Sequence, residues 1–334
     1  MQTKKVNLIT PITIAGTWVA VLAAVLTAAE LDQRLGLSHF ESLRATGIVK
    51  RHCFVNETAA QLAAAAVHAA LNDSGKRWEE ISCLVCESAP MDQAHPYNAA
   101  MALAEMNTGL HRVAALNVWA SCLSFLQALD LISIAITSGR YQNVVIVSAD
   151  ISTFTTDCLN LRENGIFGDG AAAAVLCRSE GYSGIHAARC VTLSEGIDFC
   201  QIRSGGARFH CRGLPECSEA LFEIRGRLLF ALAARELPGF VKALLDEAGI
   251  EREELAMMIP HQASRQALDH VARMLGFDDG RMVDVFGEFD NQVGATLPTA
   301  LHYAIHRHGL QRGQKVLLLG IGAGVSIGGV VLTY

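Results

Sequence analysis

The sequence predicts an α/β protein built from two copies of one unit, and three observations carry that prediction. Short apolar runs such as VVIVSA (144–149), AAAAVLC (171–177) and VLLLGIG (316–322) have strand length. Apolar on both faces, they suit sheets covered by helices on each side. The stretches 59–72 and 229–246 carry helical apolar periodicity. A pattern of helix end, glycine, paired acids and apolar strand occurs in 70–88 and again in 243–261. Gly75 aligns with Gly249, and Glu79–Glu80 with Glu253–Glu254, an offset of 174 residues.

A second match repeats that offset. Gly139 opens GRYQNVVIVSA and Gly313 opens GQKVLLLGIGA, each after an apolar helix and each leading into a strand. The repeat divides the chain into a first half, 1–178, and a second, 179–334. Between the repeated parts, roughly 180–225 is polar with Gly and Cys and reads as loop or insertion. Near the start, Lys4 and Lys5 precede an uncharged stretch, 11–29, with the outline of a signal peptide or membrane span. It opens on Pro11 and is broken by Thr13, Gly16 and Thr17, so a strand, a turn and a helix start describe it better. A cytoplasmic protein without a membrane span is the expectation.

Composition narrows the function. The chain of 334 residues is 51% hydrophobic and 18% charged, against about 25% charged in an ordinary soluble domain. A large core and a covered subunit face are expected. Net charge is −6 with no basic block, which argues against a nucleic-acid partner. Ten cysteines spread through a long apolar chain read as reduced, mostly buried thiols. Cys83 and Cys86 have CxxC spacing, but inside an apparent buried strand and without a second pair. His210, Cys211 and Cys217 are a similarly weak metal signal. His302 and His306 have helical spacing, with His308 nearby, but no adjacent acid or Cys; they read as a solvated helix face. No metal site is expected.

Three segments carry chemistry. In NVWASCLSFLQALD, a strand gives way at Ser121–Cys122 to a long apolar helix. A thiol at a helix N-terminus meets unpaired N–H groups and the positive dipole end, which predicts a lowered pKa and a nucleophile. In MMIPHQAS, His261 ends an apolar strand, opposite Glu87 under the repeat. In GEFDNQVGATLPTAL, Asn291 precedes Gly294 and Pro298 at another helix start, and the offset pairs Thr296 with Cys122. The duplication thus brings Cys122, His261 and Asn291 toward one centre, where active sites of duplicated α/β folds sit.

With these segments in place, the chain resembles the β-ketoacyl-acyl-carrier-protein synthase III group of the thiolase superfamily, essentially from end to end. The matching segments are ATGIVKRH (45–52), SCLSF, FGDGAAAAVL (167–176), PHQAS, DNQVGATLPTAL (290–301) and GIGAGVSIGG (320–329), in family order. The resemblance implies a thiolase-like duplicated five-layer αβαβα architecture. It implies an acyltransferase whose Cys122 accepts an acyl group from coenzyme A, with no tightly bound cofactor. His261 and Asn291 match the pair that binds a malonyl thioester, on acyl carrier protein or coenzyme A, and promotes its decarboxylation. A neutral imidazole N–H and the amide would hold the enolate oxygen, and backbone N–H groups of Cys122 and Ala323 the second oxyanion. A homodimer is also implied.

The chain departs from the family pattern at several positions. Ser264 replaces an Asn that supports the site. Ile321 replaces a Phe beside the active-site loop, and Phe40, followed by Arg44, replaces a Trp at the tunnel mouth. His95 falls where relatives place an apolar residue lining the partner subunit's acyl pocket. Arg265 and Arg273 are the candidates for a coenzyme A or carrier-protein phosphate. These changes predict a specialised relative, one handling a polar or carboxylated acyl group. Decarboxylative Claisen condensation leads. Acyl transfer from Cys122 to an oxygen, nitrogen or β-keto acceptor is the enzymatic alternative, and a non-catalytic partner subunit the remaining one.

Overall fold

The apolar runs form two sheets with one strand order. The computed structural model describes residues 10–107, 109, 111–157, 160–161, 165–207 and 218–334. The first sheet runs Ile12–Ala20, Gly170–Arg178, Asn143–Asp150, Cys83–Glu87 and Ala114–Asn117. The second runs Gly184–Thr192, Ser326–Thr333, Lys315–Gly322 and Leu255–Pro260. Its counterpart of the outermost strand is a single parallel bridge, Met258 to Met282.

Strand parity makes five layers from these sheets. Alternate residues of a strand face opposite sides. Cys83, Val85, Val144 and Ile146 enter a central core with the helices Ser124–Thr137 and Thr296–His306. Their neighbours Leu84, Cys86, Val145 and Val147 enter an outer core under the helices Ala59–Ser74 and Asn98–Met106. Across the molecule, Met258, Leu317, Leu319 and Val331 pack outward against the helix Gly226–Ala248. The two inner helices are therefore shared by both sheets, and the strand ends on either side face one another.

The repeat is visible in detail. Gly75 and Gly249 cap their helices in the left-handed conformation, at φ 66° and 64°, where glycine carries no Cβ penalty. The paired acids lie in matching 3₁₀ turns, Trp78–Glu80 and Arg252–Glu254.

Several expectations change. The region 180–225 contains a full sheet strand, Gly184–Thr192, paired with Ser326–Thr333. As an edge strand it is half exposed, so GIHAARCVT lacks the continuous apolar run that marks the inner strands. His302 is buried, and its Nδ1 lies 3.0 Å from Thr17 Oγ1. An acid does lie near the histidine pair, with Asp73 Oδ2 3.8 Å from His306 Nε2. Even so, among the described residues no group of three His, Cys, Asp or Glu side chains is placed to hold a metal. Cys83 and Cys86 point to opposite faces of their strand. Lys4, Lys5, His210, Cys211 and Cys217 lie outside the described residues. The stretch 11–29 forms the strand Ile12–Ala20, the short strand Val25–Thr27 and the start of the helix Ala28–Leu35. No helix among the described residues is long and apolar enough to cross a membrane.

Candidate active site

Each inner helix is entered through a tight elbow. Before the helix Ser124–Thr137 lies the 3₁₀ turn Ser121–Leu123, and before Thr296–His306 lies Val293–Ala295. Both elbows open on a non-glycine residue with positive φ, 53° at Ser121 and 52° at Val293. Both close by the same bond: Ser124 Oγ donates to Ser121 O at 2.7 Å, and Thr296 Oγ1 to Val293 O at 2.9 Å. The structural partner of Cys122 is therefore Gly294, and Thr296 partners Ser124. The offset falls from 174 to 172 here because the whole stretch from the matched residues Glu87 and His261 to their elbows is two residues shorter in the second half, 262–292 against 88–120.

Cys122 is half-buried in the first elbow rather than at the first residue of the α-helix. Its thiol is pushed up to about 11, not lowered as the helix position suggested. Burial dominates; the Ser121 hydroxyl opposes it, and the charge of Asp150 adds to the rise. The backbone at Cys122 and Ala323 opposes the rise more weakly, so the turn after Gly322 lies close to the sulfur. Gly322 permits this approach, since a Cβ there would stand 3.5 Å from Cys122 Cβ and 3.3 Å from Leu123 Cγ. At Gly320 a Cβ would stand 2.7 Å from Leu123 Cδ2 and 3.4 Å from His261 Cβ. The strand Lys315–Gly322 thus runs between the cysteine elbow and His261.

His261 follows the strand Leu255–Pro260, and its N–H donates to Leu319 O at 2.8 Å. Its ring is buried and its Nδ1 hydrogen-bonds Thr296 Oγ1. Thr296 Oγ1 also lies 2.9 Å from Val293 O; with its hydroxyl donating there, Nδ1–H donates to Thr296 and Nε2 keeps its lone pair. Burial lowers the ring's pKa to about 4, leaving it neutral near pH 7. In this arrangement Nε2 accepts, whereas the family resemblance implies a donor; rotation of the Thr296 hydroxyl toward Nδ1 would exchange the two.

Asn291 is buried beside the second elbow. Its Oδ1 accepts from Val293 N–H at 3.0 Å and its Nδ2 donates to Ala263 O at 3.2 Å, leaving a second amide hydrogen for a ligand. Ala263 lies two residues after His261, so the histidine and asparagine loops are tied together. Asp150, which sequence reasoning missed, joins the halves: its carboxyl accepts from Ala89 N–H at 2.5 Å and Ala295 N–H at 2.9 Å. Burial raises it to about 8. The available signal was an acid ending an otherwise apolar strand. Glu87, opposite His261 under the repeat, is also buried, well above the usual carboxylate range, and accepts from Ser148 Oγ at 2.6 Å.

The remaining candidates lie apart from this centre or are otherwise engaged. Ser264 caps the helix Arg265–Leu275, accepting from Ala267 N–H at 3.2 Å, and makes no bond to His261 or Asn291. Arg265 grips Asp284 through both terminal nitrogens and stands 3.8 Å from Asp269, so its charge is already compensated. Arg273 is exposed. Phe40 and Arg44 are exposed on and before the short helix Glu41–Thr46, where Arg44 Nη1 donates to His39 O at 3.1 Å. His95 is exposed. Ile321 is half-buried and, with His261, Ala263 and Leu237, lines a pocket of about 50 Å³. A larger cavity of about 250 Å³, lined by Asp198, Phe222 and Arg225 among others, includes none of the three.

A duplicated five-layer fold with these side chains at its facing strand ends is the thiolase fold of a condensing enzyme. Residues 116–194 match the family model described as 3-oxoacyl-[acyl-carrier-protein] synthase III, and 245–334 match its C-terminal model. The β-ketoacyl-[acyl-carrier-protein] synthase III of Rhodospirillum centenum is 30% identical over 318 residues, 93% of this chain and 95% of that protein. The crystal structure of the Aquifex aeolicus 3-oxoacyl-[acyl-carrier-protein] synthase III has a TM-score of 0.86 at 28% identity, covering 97% of this chain and 100% of that one. Xanthomonas campestris OleA, solved with lauric acid and lauroyl-CoA, shares the fold at a TM-score of 0.84 and 21% identity. The chain belongs to the synthase III family.

Proposed function

We propose that the chain forms a carbon–carbon bond by decarboxylative Claisen condensation of an acyl thioester with a malonyl thioester. The observation that carries this reading is the Cys122 elbow packed on Gly322, with His261 packed on Gly320 of the same strand and Asn291 tied to the histidine loop through Ala263 O. In the first half-reaction, Cys122 Sγ attacks the carbonyl of an acyl-coenzyme A. Its proton passes to His261 Nε2 and then to the departing coenzyme A sulfur, leaving acyl-Cys122. A raised thiol pKa makes a base necessary, and the free lone pair of His261 fits that need.

In the second half-reaction, the malonyl thioester loses carbon dioxide, and the electrons of the broken C–C bond form an enolate. Its oxygen would be held by the free Asn291 N–H and by His261 Nε2–H, once the Thr296 hydroxyl has turned. The α-carbon attacks acyl-Cys122, the Cys122 and Ala323 N–H groups hold the oxyanion, and collapse expels the Cys122 thiolate, which takes a proton from solvent to restore the resting thiol. The products are a β-ketoacyl thioester and carbon dioxide; no resident cofactor takes part. The polar His95, at the position where relatives line the partner subunit's acyl pocket, is the departure that supports a polar or carboxylated acyl group.

A second reading follows from the His261 tautomer. A bare Nε2 suits a base that deprotonates a hydroxyl, amine or β-keto acceptor, which then takes the acyl group without decarboxylation. A homodimer belongs to either reading. The outer strand Ala114–Asn117 is a sheet edge, and Leu116 and Trp119 beside it are exposed, 68% in the case of Trp119. A second copy covering that edge would bury them. Carbon dioxide release decides between the readings. Protein loaded with acyl-coenzyme A and given carboxyl-labelled malonyl-coenzyme A or malonyl-carrier protein should release label, and Cys122→Ala and Asn291→Ala should not form product. Acyl transfer to an added nucleophile without label release would establish the second reading.

A further inference from the structure

The residue before Asn291 is held in a costly state. Asp290 has φ 49° and ψ −158°, a backbone region in which glycine alone is at ease. Its side chain is 1% exposed, and neither carboxyl oxygen meets a hydrogen-bond donor among the described residues. Burial holds the group well above the usual carboxylate range, with Arg51 opposing and Asp169 adding to the rise. Glycine at this position would remove both the strain and the orphaned carboxyl.

What the carboxyl touches is the strip 166–170. A Cβ built on Gly168 would stand 2.0 Å from Asp290 Oδ1, and one on Gly170 would stand 2.2 Å from Gln292 Nε2. Two side chains of the DNQ segment therefore sit in two glycine notches of FGDG, one residue apart on each side. Between them, Asn291 N–H donates to Ile166 O at 2.9 Å, and Gly168 N–H donates to Asn291 O at 3.2 Å. Arg51 props the same strip by donating to Gly165 O at 2.7 Å and Phe167 O at 3.2 Å.

We propose that Asp290 is a positioning residue: its carboxyl, wedged over Gly168, holds the strained backbone that aims the Asn291 amide at the ligand. The wedge takes the place of a hydrogen bond. Asp290 directly precedes Asn291, whose own N–H and C=O are clamped to the strip, and it fixes the direction in which the chain enters that clamp. This rests on the role proposed above for Asn291, which takes part in the condensing half-reaction and not in loading of Cys122.

The test is Asp290→Gly, with Asp290→Asn as the variant that keeps the wedge. Three readouts are needed: melting temperature, hydrogen exchange of the 286–296 segment, and the rates of Cys122 loading and of product formation. Asp290→Gly should melt higher by roughly 2 °C or more, exchange faster in 286–296, and load Cys122 at the wild-type rate. Its condensation kcat should fall about 10²-fold, the effect of a displaced catalytic group. Asp290→Asn should stay within roughly threefold of wild type in kcat, since an amide of the same size fills the same notch. A higher melting temperature with unchanged exchange and unchanged kcat would overturn the proposal, because the strain would then position nothing. So would a lower melting temperature, because the residue would then be structural. Should wild-type protein load Cys122 but condense nothing, the functional reading fails, and faster exchange in 286–296 still decides this one.

Discussion

His261 Nδ1 and Thr296 Oγ1 share a hydrogen bond that crosses from a strand end of the second sheet to the start of an inner helix. The threonine hydroxyl has two acceptors in reach, Val293 O and Nδ1, and its direction sets which imidazole nitrogen carries the proton. Replacing the hydroxyl by a methyl in Thr296→Val leaves a buried Nδ1–H without an acceptor, at about 1–3 kcal/mol. Product formation should fall about 10²-fold, while Thr296→Ser, which keeps the hydroxyl, should stay close to wild type. Steady-state kcat for the three proteins checks this; equal rates for Val and Ser would remove Thr296 from the mechanism.

The acid limb of activity should lie unusually low. His261 acts as the neutral ring, and burial moves its pKa down from 6.5 to about 4. The neutral form dominates above the pKa, so kcat/KM should hold from pH 8 to about pH 5 and decline below that. A pH–rate profile on the free enzyme reads this directly. A limb near 6.5 would mean that the ring is solvated in the working enzyme.

Reactivity of Cys122 toward a small alkylating agent should rise with pH without a plateau below pH 9. With the thiol at about 11, the thiolate fraction grows tenfold per pH unit over that range. Mass spectrometry of iodoacetamide-treated protein at several pH values measures it. A plateau near neutrality would show a thiolate already present at rest.

Arg265→Gln should cost stability and leave coenzyme A recognition nearly intact. The guanidinium is bound to Asp284 and close to Asp269, and Gly47 packs on its stem. Loss of the pair should lower the melting temperature by roughly 1–3 °C, given a part-buried bidentate pair. The KM for acyl-coenzyme A should change less than about threefold, since the charge is compensated. A tenfold rise in KM would restore Arg265 as a phosphate ligand.

Much of this architecture was legible because it is written twice. The glycine caps at 75 and 249 and the acid pairs after them have the same physical job in both halves, so they recur at one offset. Continuous apolar runs marked the strands buried on both faces. The edge strand Gly184–Thr192 escaped because only part of it is buried. The offset misplaced Thr296 by two residues, since loop length is not constrained as strand register is. Cys122, His261 and Asn291 could be picked out by residue type at element ends. Their state could not: whether burial or helix-end N–H groups governs a thiol is a contest of magnitudes that only coordinates resolve. Nothing in the letters DNQ says that Asp290 stands in a glycine conformation or that Gly168 lies under its carboxyl.

The central claim is that Cys122 carries the acyl group. Purified protein and Cys122→Ala should be incubated with a panel of acyl-coenzyme A thioesters, dicarboxylic ones included, and weighed intact by mass spectrometry. The account predicts a gain of one acyl group in the wild-type protein, absent from the variant, and largest with a polar or carboxylated chain. No gain with any thioester from folded protein, or an equal gain in Cys122→Ala, would contradict it.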